Sequence, residues 1–164
     1  MTSRTSSVMN MRFLELRVPP PLVGIIIAGA MWLIPSSLFP LLPLPASVRL
    51  TAAVLLALAG VAIAMSGVIS FRRAQTTVNP LKPETSTALV STGIYRITRN
   101  PMYLGMLAVL LAWAVYLPSA WALLGPVAFA LYITRFQIIP EERALQSLFG
   151  TAFVEYTHRI RRWL

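Results

Sequence analysis

The sequence predicts an all-α, polytopic membrane protein with about four transmembrane helices, a C-terminal helical hairpin and an amphipathic cytoplasmic tail helix. Hydrophobic residues make up 57% of the 164 residues and charged residues only 12%, a balance typical of membrane proteins. Four apolar segments alternate with polar or proline-containing segments. At this length we expect a single integral membrane domain over residues 1–164, with N-terminal helices in 1–75 and a core in 76–164.

Prolines or charged residues bound each apolar segment. The four segments are Leu22–Phe39, Ser47–Phe71, Pro101–Leu117 and Ser119–Ile139. Pro35 interrupts the first, which barely reaches the roughly 20 residues that span the hydrocarbon core, so its full crossing is left open. Arg49 lies near one end of the second, where its long side chain can reach the interface. Pro118 joins the last two segments in a link short enough to predict an antiparallel hairpin, and Pro126 predicts a kink in the fourth.

The basic residues predict the orientation in the membrane. If the chain crosses the membrane four times, most of its basic residues lie on the same side of the membrane. These residues are Arg4, Arg12, Arg17, Arg72, Arg73, Lys82, Arg96, Arg99, Arg143, Arg159, Arg161 and Arg162. Arg49 falls on the opposite side. The positive-inside rule then makes both termini cytoplasmic, and the net charge of +9 indicates contact with anionic membrane lipids. Because the arginines are dispersed among the membrane ends, we expect no nucleic-acid partner.

The absence of cysteine and the presence of only one histidine exclude or disfavour several kinds of functional site. The chain has no cysteine, which excludes disulfides, thiolate nucleophiles and cysteine-ligated metals. Its one histidine, His158, lies in the basic tail without the partners that a metal site needs, so we expect no metal.

Small residues recur along one face of the second apolar segment. They are Ala53, Ala57, Gly60, Ala64 and Gly67, spaced by four and three residues. Such a stripe lets another helix approach closely, and this interpretation is favoured over a groove for a lipid chain.

A long polar segment lies between the second and third apolar segments. It runs from Arg72 to Asn100, and unstructured loops beyond about 15 residues are usually functional or disordered. Gly93 would allow a positive φ or a close approach of the backbone to a ligand. Pro101 suits the first turn of a helix, which leaves free backbone N–H groups near Arg99 and Asn100. We expect a carboxylate to bind there.

Glu141 and Glu142 form a second polar cluster. They follow Pro140 and suit the first turn of a helix, a structural role that is evenly balanced with a functional one. Adjacent helical residues point about 100° apart, so one carboxylate can bind a ligand while the other caps the helix or pairs with an arginine. Arg135 either extends to the membrane interface or faces inward to hold an acidic group of a substrate.

The tail that follows is amphipathic. Phe149, Phe153, Tyr156 and Ile160 fall at helical spacings, and Trp163 is placed for the membrane interface. The pattern predicts a surface helix or a lid that closes over a bound cofactor.

Several motifs after Thr76 resemble those of one family. They are Gly93-Ile94-Tyr95-Arg96, Arg99-Asn100-Pro101-Met102-Tyr103-Leu104-Gly105, Glu141-Glu142-Arg143-Ala144-Leu145 and Phe149-Gly150-Thr151-Ala152-Phe153-Val154-Glu155-Tyr156. In these the chain resembles the integral membrane methyltransferases of the isoprenylcysteine carboxyl methyltransferase and phospholipid methyltransferase group. Asn100 stands where that group commonly has a histidine, so no histidine base is expected.

The resemblance implies methyl transfer from S-adenosyl-L-methionine to a lipophilic acceptor that enters from the bilayer. The acceptor would be an isoprenylcysteine-like carboxylate or a lipid head group. The implied cofactor-binding residues are Gly93, Tyr95, Asn100, Pro101, Tyr103, Leu104, Glu141 and Glu142. The implied catalytic residues are Arg99, Tyr103 and Arg135.

Two other classes of protein remain open. A membrane reductase of the sterol-reductase type shares a related C-terminal architecture and would bind NADPH. A non-catalytic membrane scaffold would bind no cofactor and would tolerate Glu141→Ala and Arg99→Ala.

Overall fold

Four helices account for most of the residues that the computed structural model describes, which are 15–33, 44–75 and 85–164. They are α1 (Pro20–Leu33), α2 (Ala46–Arg73), α3 (Pro101–Tyr116) and a long fourth element made of a 3₁₀ turn (Ala120–Leu123), α4 (Leu124–Ile133), a π-helical turn (Thr134–Ile138) and α5 (Ile139–Arg159). A further 3₁₀ turn, Gly93–Arg96, precedes α3. The predicted all-α fold is confirmed; the predictions on Arg4, Arg12, Pro35 and Lys82 lie outside the described residues.

Two of these helices are long and apolar enough to cross a membrane. They are Ala46–Arg73, with 28 residues, and Ala120–Arg159, with 40 residues. Helices α1 and α3 are apolar but shorter, with 14 and 16 residues. The four-span topology with both termini cytoplasmic stays a prediction.

The fourth element extends from Ala120 to Arg159, with a kink at Gly150. Helix α5 starts at Ile139 with Pro140 in its first turn, as the Pro-Glu-Glu pattern predicts, but a π-helical turn joins it directly to α4. The non-helical torsion angles of Gly150 separate residues 151–159 from the first part of α5. Pro126 lies in the first turn of α4, where a missing N–H is tolerated. The departures from α-helical geometry lie instead at the π-helical turn and at Gly150, which has a φ of 53°.

Small residues set the close approach of α2 to α3. A Cβ on Gly60 would lie 2.7 Å from the carbonyl oxygen of Gly105, and a Cβ on Gly67 would lie 3.0 Å from Cγ of Pro101. Real Cβ atoms do not approach other heavy atoms as closely as 2.7 Å, so Gly60 admits no side chain without a shift of the helices, while at Gly67 the neighbouring Pro101 would have to give by a few tenths of an ångström. The small-residue stripe therefore serves helix packing at these two positions.

An apolar groove of about 660 Å³ is lined by α1, α2 and α3. Helix α1 packs on α3 and α4, and α2 packs on α3. Helix α3 therefore lies between α1 and α2. Ala57 and Ala64 of the stripe line the groove together with Met106 and Leu110 of α3. Part of the stripe thus borders an apolar space.

The π-helical turn holds the chain that precedes α1. Pro140 has no N–H, so the carbonyl of Phe136 lacks its intrahelical donor. The backbone N–H of Leu16 donates to that carbonyl at 3.0 Å. The fully buried Gln137 donates through Nε2 to the carbonyl of Val18 at 2.7 Å. The π turn thereby gains one donor, from Leu16, and one acceptor, from Val18, in a distant part of the sequence.

Candidate functional site

The two polar motifs of the sequence meet where α3 and α5 begin. The Tyr103 hydroxyl donates a hydrogen bond to Oε1 of Glu141. The Arg99 guanidinium lies 3.1 Å from Oε1 of Glu142 through Nη2. Tyr103 is buried, and the side chains of Arg99 and Glu142 are only 13% and 19% exposed. Residues some forty positions apart in the sequence therefore form one sheltered polar cluster.

A second arginine, Arg162, completes this cluster from the end of the chain. Its Nε and Nη2 lie 3.1 and 2.6 Å from the two carboxylate oxygens of Glu142. This hydrogen bonding raises the pKa of Arg162 above its ordinary value, against the opposing effect of burial. We use "polar cluster" below for Arg99, Tyr103, Glu141, Glu142 and Arg162.

Sequence reasoning assigned Arg162 only to the basic tail. Nothing in the sequence distinguishes it from its neighbours Arg159 and Arg161. Its pairing with Glu142 depends on where the chain turns after α5, which local patterns do not specify.

The C-terminal segment, residues 160–164, packs against the chain that enters α3. The backbone N–H of Arg99 donates to the carbonyl of Arg161 at 3.0 Å. The carbonyl of Arg162 accepts from Asn100 Nδ2 at 2.9 Å and from the Thr98 hydroxyl at 3.3 Å. Trp163 anchors the segment by donating from Nε1 to the Thr134 hydroxyl oxygen at 3.1 Å.

These contacts narrow the expectation of free backbone N–H groups near the start of α3. The backbone N–H groups of Arg99 and Asn100 are not free to bind a carboxylate. The first donates to Arg161, and the second donates to the Thr98 hydroxyl oxygen at 3.2 Å. The Arg99 side chain is a further group at this position that could bind a carboxylate.

The remaining residues predicted to bind a cofactor lie along this entry to α3. Tyr95 is buried, and its carbonyl accepts a hydrogen bond of 2.8 Å from the Tyr156 hydroxyl. Burial, with smaller contributions from Tyr156 and Glu141, raises the pKa of the Tyr95 hydroxyl above its ordinary value. Gly93 has a φ of 62°, as its conformational freedom allows.

Pro101 and Leu104 belong to the first turn of α3. Pro101 is fully buried and faces Gly67 of α2. Leu104 donates its backbone N–H to the carbonyl of Asn100 at 2.9 Å, which closes the first helical turn. Both residues have a clear role in holding α3 in place.

Arg135 pairs outside the polar cluster. Its Nη1 lies 2.7 Å from Oε1 of Glu15, and Arg143 binds the other oxygen of that carboxylate. Burial would raise the pKa of Glu15, but hydrogen bonds from Arg135 and Arg143 outweigh it and lower the pKa overall. Glu15 carried no recognisable signal in the sequence, because the pair joins residues 120 positions apart.

We expect Glu15→Gln to lower the melting temperature by about 2–4 °C, since a partly exposed ion pair contributes about 1 kcal/mol. The pKa of Glu15 is lowered by folding, so its contribution is present above the unfolded value of 4.5 and is lost as the pH falls through the folded value. Thermal unfolding of both proteins in detergent should show a constant difference from pH 8 to 6 that shrinks in acid. Glu155→Gln, at an exposed position of α5, is the control. An equal effect of both variants would contradict the ion pair.

Arg99 retains one buried donor without a partner among the described residues. This donor is its Nε–H. A buried guanidinium N–H without an acceptor is costly, so the site suits a ligand that carries an oxygen acceptor. A carboxylate fits best, because hydrogen bonds between ionised partners are the strongest.

The fold and the polar cluster define a helical protein of the membrane type with a sheltered polar site where two apolar helices begin. The sequence model of the phospholipid methyltransferase family matches residues 48–152. The chain therefore belongs to the phospholipid methyltransferase family, and the resemblance seen in its motifs is confirmed. Membership of this family and the two long apolar helices indicate an integral membrane protein.

Two relatives extend this comparison. An uncharacterized protein of Haemophilus influenzae is 46% identical over 63 residues, which are 38% of this chain and 100% of that protein. Protein-S-isoprenylcysteine O-methyltransferase B of Arabidopsis thaliana is 33% identical over 98 residues, which are 58% of this chain and 48% of that protein. The chain thus spans about half the length of the Arabidopsis protein. No solved structure matches the chain.

Proposed function

We propose that the protein transfers a methyl group from S-adenosyl-L-methionine to a lipophilic acceptor that enters from the bilayer. The observation that carries this proposal is the joining of the two motifs through the Tyr103–Glu141 and Arg99–Glu142 contacts. Family membership supports the same reaction class. The contacts bring acidic and basic groups together in a site that is sheltered from water.

Residues of the polar cluster fit the polar groups of this cofactor. The cofactor supplies a methyl group on a good leaving group, so the protein's task is mainly binding and alignment. The unpartnered Nε–H of Arg99 would bind a carboxylate. Glu141 would accept hydrogen bonds from an ammonium or a ribose diol, with Tyr103 holding its carboxylate in place.

Helix α3 connects the apolar groove with the polar cluster. Tyr103, Met106 and Leu110 lie three and four residues apart on α3 and therefore share one face. Met106 and Leu110 line the groove, and Tyr103 continues this face at the end that carries the polar cluster. An acceptor whose apolar chain lies in the groove would present its polar end to the cluster.

The class of acceptor determines which further residues are needed. A carboxylate acceptor needs no base and would be held by an arginine. An amine acceptor must lose a proton, and Glu141 is in place to accept it. Arg135 would contribute indirectly. Its ion pair with Glu15 holds the chain before α1 against the fourth helical element.

We expect Arg99→Gln to weaken binding of S-adenosylhomocysteine by about 10- to 100-fold, because a hydrogen bond to a charged group contributes roughly 1.5–3 kcal/mol. Calorimetric titration of the detergent-solubilised protein measures this. Arg96→Gln is the matched control, since Arg96 is an exposed arginine three residues earlier. Glu142 keeps Arg162 as a partner in Arg99→Gln, so the variant should fold.

Titration with NADPH separates the competing classes. Binding of S-adenosylhomocysteine by the unaltered protein, followed by methyl transfer to a prenylcysteine or an aminophospholipid, would support the proposal. Saturable binding of NADPH alone would overturn it in favour of a reductase. Binding of neither ligand by folded protein would leave a membrane scaffold.

A further inference from the structure

Glu142 differs from Glu141 in being fully engaged by the chain itself. One of its oxygens lies 3.1 Å from both Arg99 Nη2 and Arg162 Nε, and the other lies 2.6 Å from Arg162 Nη2. Arg162 binds it side-on with two donors, the arrangement in which an arginine fixes a carboxylate most firmly. Glu142 therefore links two arginines, and of these Arg99 keeps a buried donor that has no partner in the part of the chain that the structure describes.

We propose that Arg162 is a positioning residue for the cofactor site, and this inference rests on the proposed function. Arg162 fixes Glu142, and Glu142 in turn holds Nη2 of Arg99, so that the Nε–H of Arg99 stays available to a ligand carboxylate. Without Arg162, the negative charge of Glu142 would be shared with Arg99 alone. Arg99 would then close further onto Glu142 and bind a ligand less well.

The path of the chain brings Arg162 to this position. Helix α5 ends at Arg159, and Ile160 adopts an extended conformation with φ −120° and ψ 132°. Hydrogen bonds from the entry to α3 hold the carbonyls of Arg161 and Arg162, and Trp163 is anchored on Thr134. Because the backbone is held in place before and after Arg162, its side chain loses little additional conformational entropy when it pairs with Glu142.

A double-mutant cycle in the full chain tests this role. Arg162→Gln should raise the dissociation constant of S-adenosylhomocysteine and the KM for the cofactor by about 10-fold, with a smaller change in kcat. The double variant Arg162→Gln/Glu142→Gln should bind no more weakly than Glu142→Gln alone, because Arg162 acts through Glu142. Arg162→Lys should recover part of the affinity, since it restores the charge without the paired donors. Arg159→Gln, at an exposed position, is the control.

A readout without ligand accompanies the cycle. The melting temperatures of the unaltered protein, the two single variants and the double variant should show that the effects of Arg162→Gln and Glu142→Gln are not additive. Additive losses of affinity, or a lower melting temperature with unchanged affinity, would overturn the inference while leaving the proposed function standing. Absence of binding by the unaltered protein would overturn both.

Discussion

Glu141→Gln is expected to weaken binding of S-adenosylhomocysteine by about 100-fold, near the upper end of what a hydrogen bond to a charged group contributes. Glutamine keeps the oxygen that accepts from the Tyr103 hydroxyl but replaces the second carboxyl oxygen, which we propose binds the cofactor, with an amide group. The helices should stay folded, because the shape and one hydrogen bond are retained. Titration calorimetry measures the affinity, and thermal unfolding checks the fold.

Two variants make this test specific. Glu155→Gln removes a carboxylate from an exposed position of the same helix and should leave the affinity unchanged. Tyr103→Phe removes the donor and leaves the Glu141 carboxylate in place but less well fixed, so we expect an intermediate loss of affinity. Equal affinities for Glu141→Gln and Glu155→Gln would show that Glu141 is not part of the cofactor site.

The apolar helices could be predicted closely because hydropathy alone sets their limits. The prediction of Ser47–Phe71 became Ala46–Arg73, and Pro101–Leu117 became Pro101–Tyr116. The fourth element was predicted less well. Pro140 lies in the first turn of α5, as predicted, but the π-helical turn Thr134–Ile138 joins α5 to α4 without an intervening loop. This outcome depends on a donor from Leu16 that no local pattern reveals.

The same distinction applies to the polar cluster. Arg99, Tyr103, Glu141 and Glu142 could be selected because their spacing forms motifs, and the structure brings them together. The roles of Glu15 and Arg162 could not be predicted. A salt bridge carries no periodic signature, and its partners are chosen by the packing of the whole chain rather than by neighbouring residues.

The motif glycine at position 105 has a structural explanation that joins fold and site. A Cβ there would lie 2.7 Å from Cβ of Ala64 and 2.8 Å from its backbone nitrogen, and it would also meet the carbonyl oxygen of Gly60. Backbone atoms cannot rotate away as a side chain can, so the helices themselves would have to separate. Tyr103 lies two residues earlier on α3 and would move with the helix.

We therefore expect Gly105→Ala to destabilise the protein by about 1–3 kcal/mol, the usual cost of overpacking, and to lower the melting temperature by about 2–12 °C. Gly29→Ala is the matched control, because a Cβ on Gly29 of α1 meets nothing within 4 Å. That variant should be neutral or slightly more stable, since alanine favours a helix over glycine by about 1 kcal/mol. Thermal unfolding in detergent, followed by tryptophan fluorescence, compares the two. If the two variants have the same melting temperature, α2 and α3 do not approach as closely as the contact between Gly60 and Gly105 requires. If Gly105→Ala melts early and also binds S-adenosylhomocysteine weakly below its melting temperature, the α2–α3 contact positions Tyr103 as well as stabilising the fold.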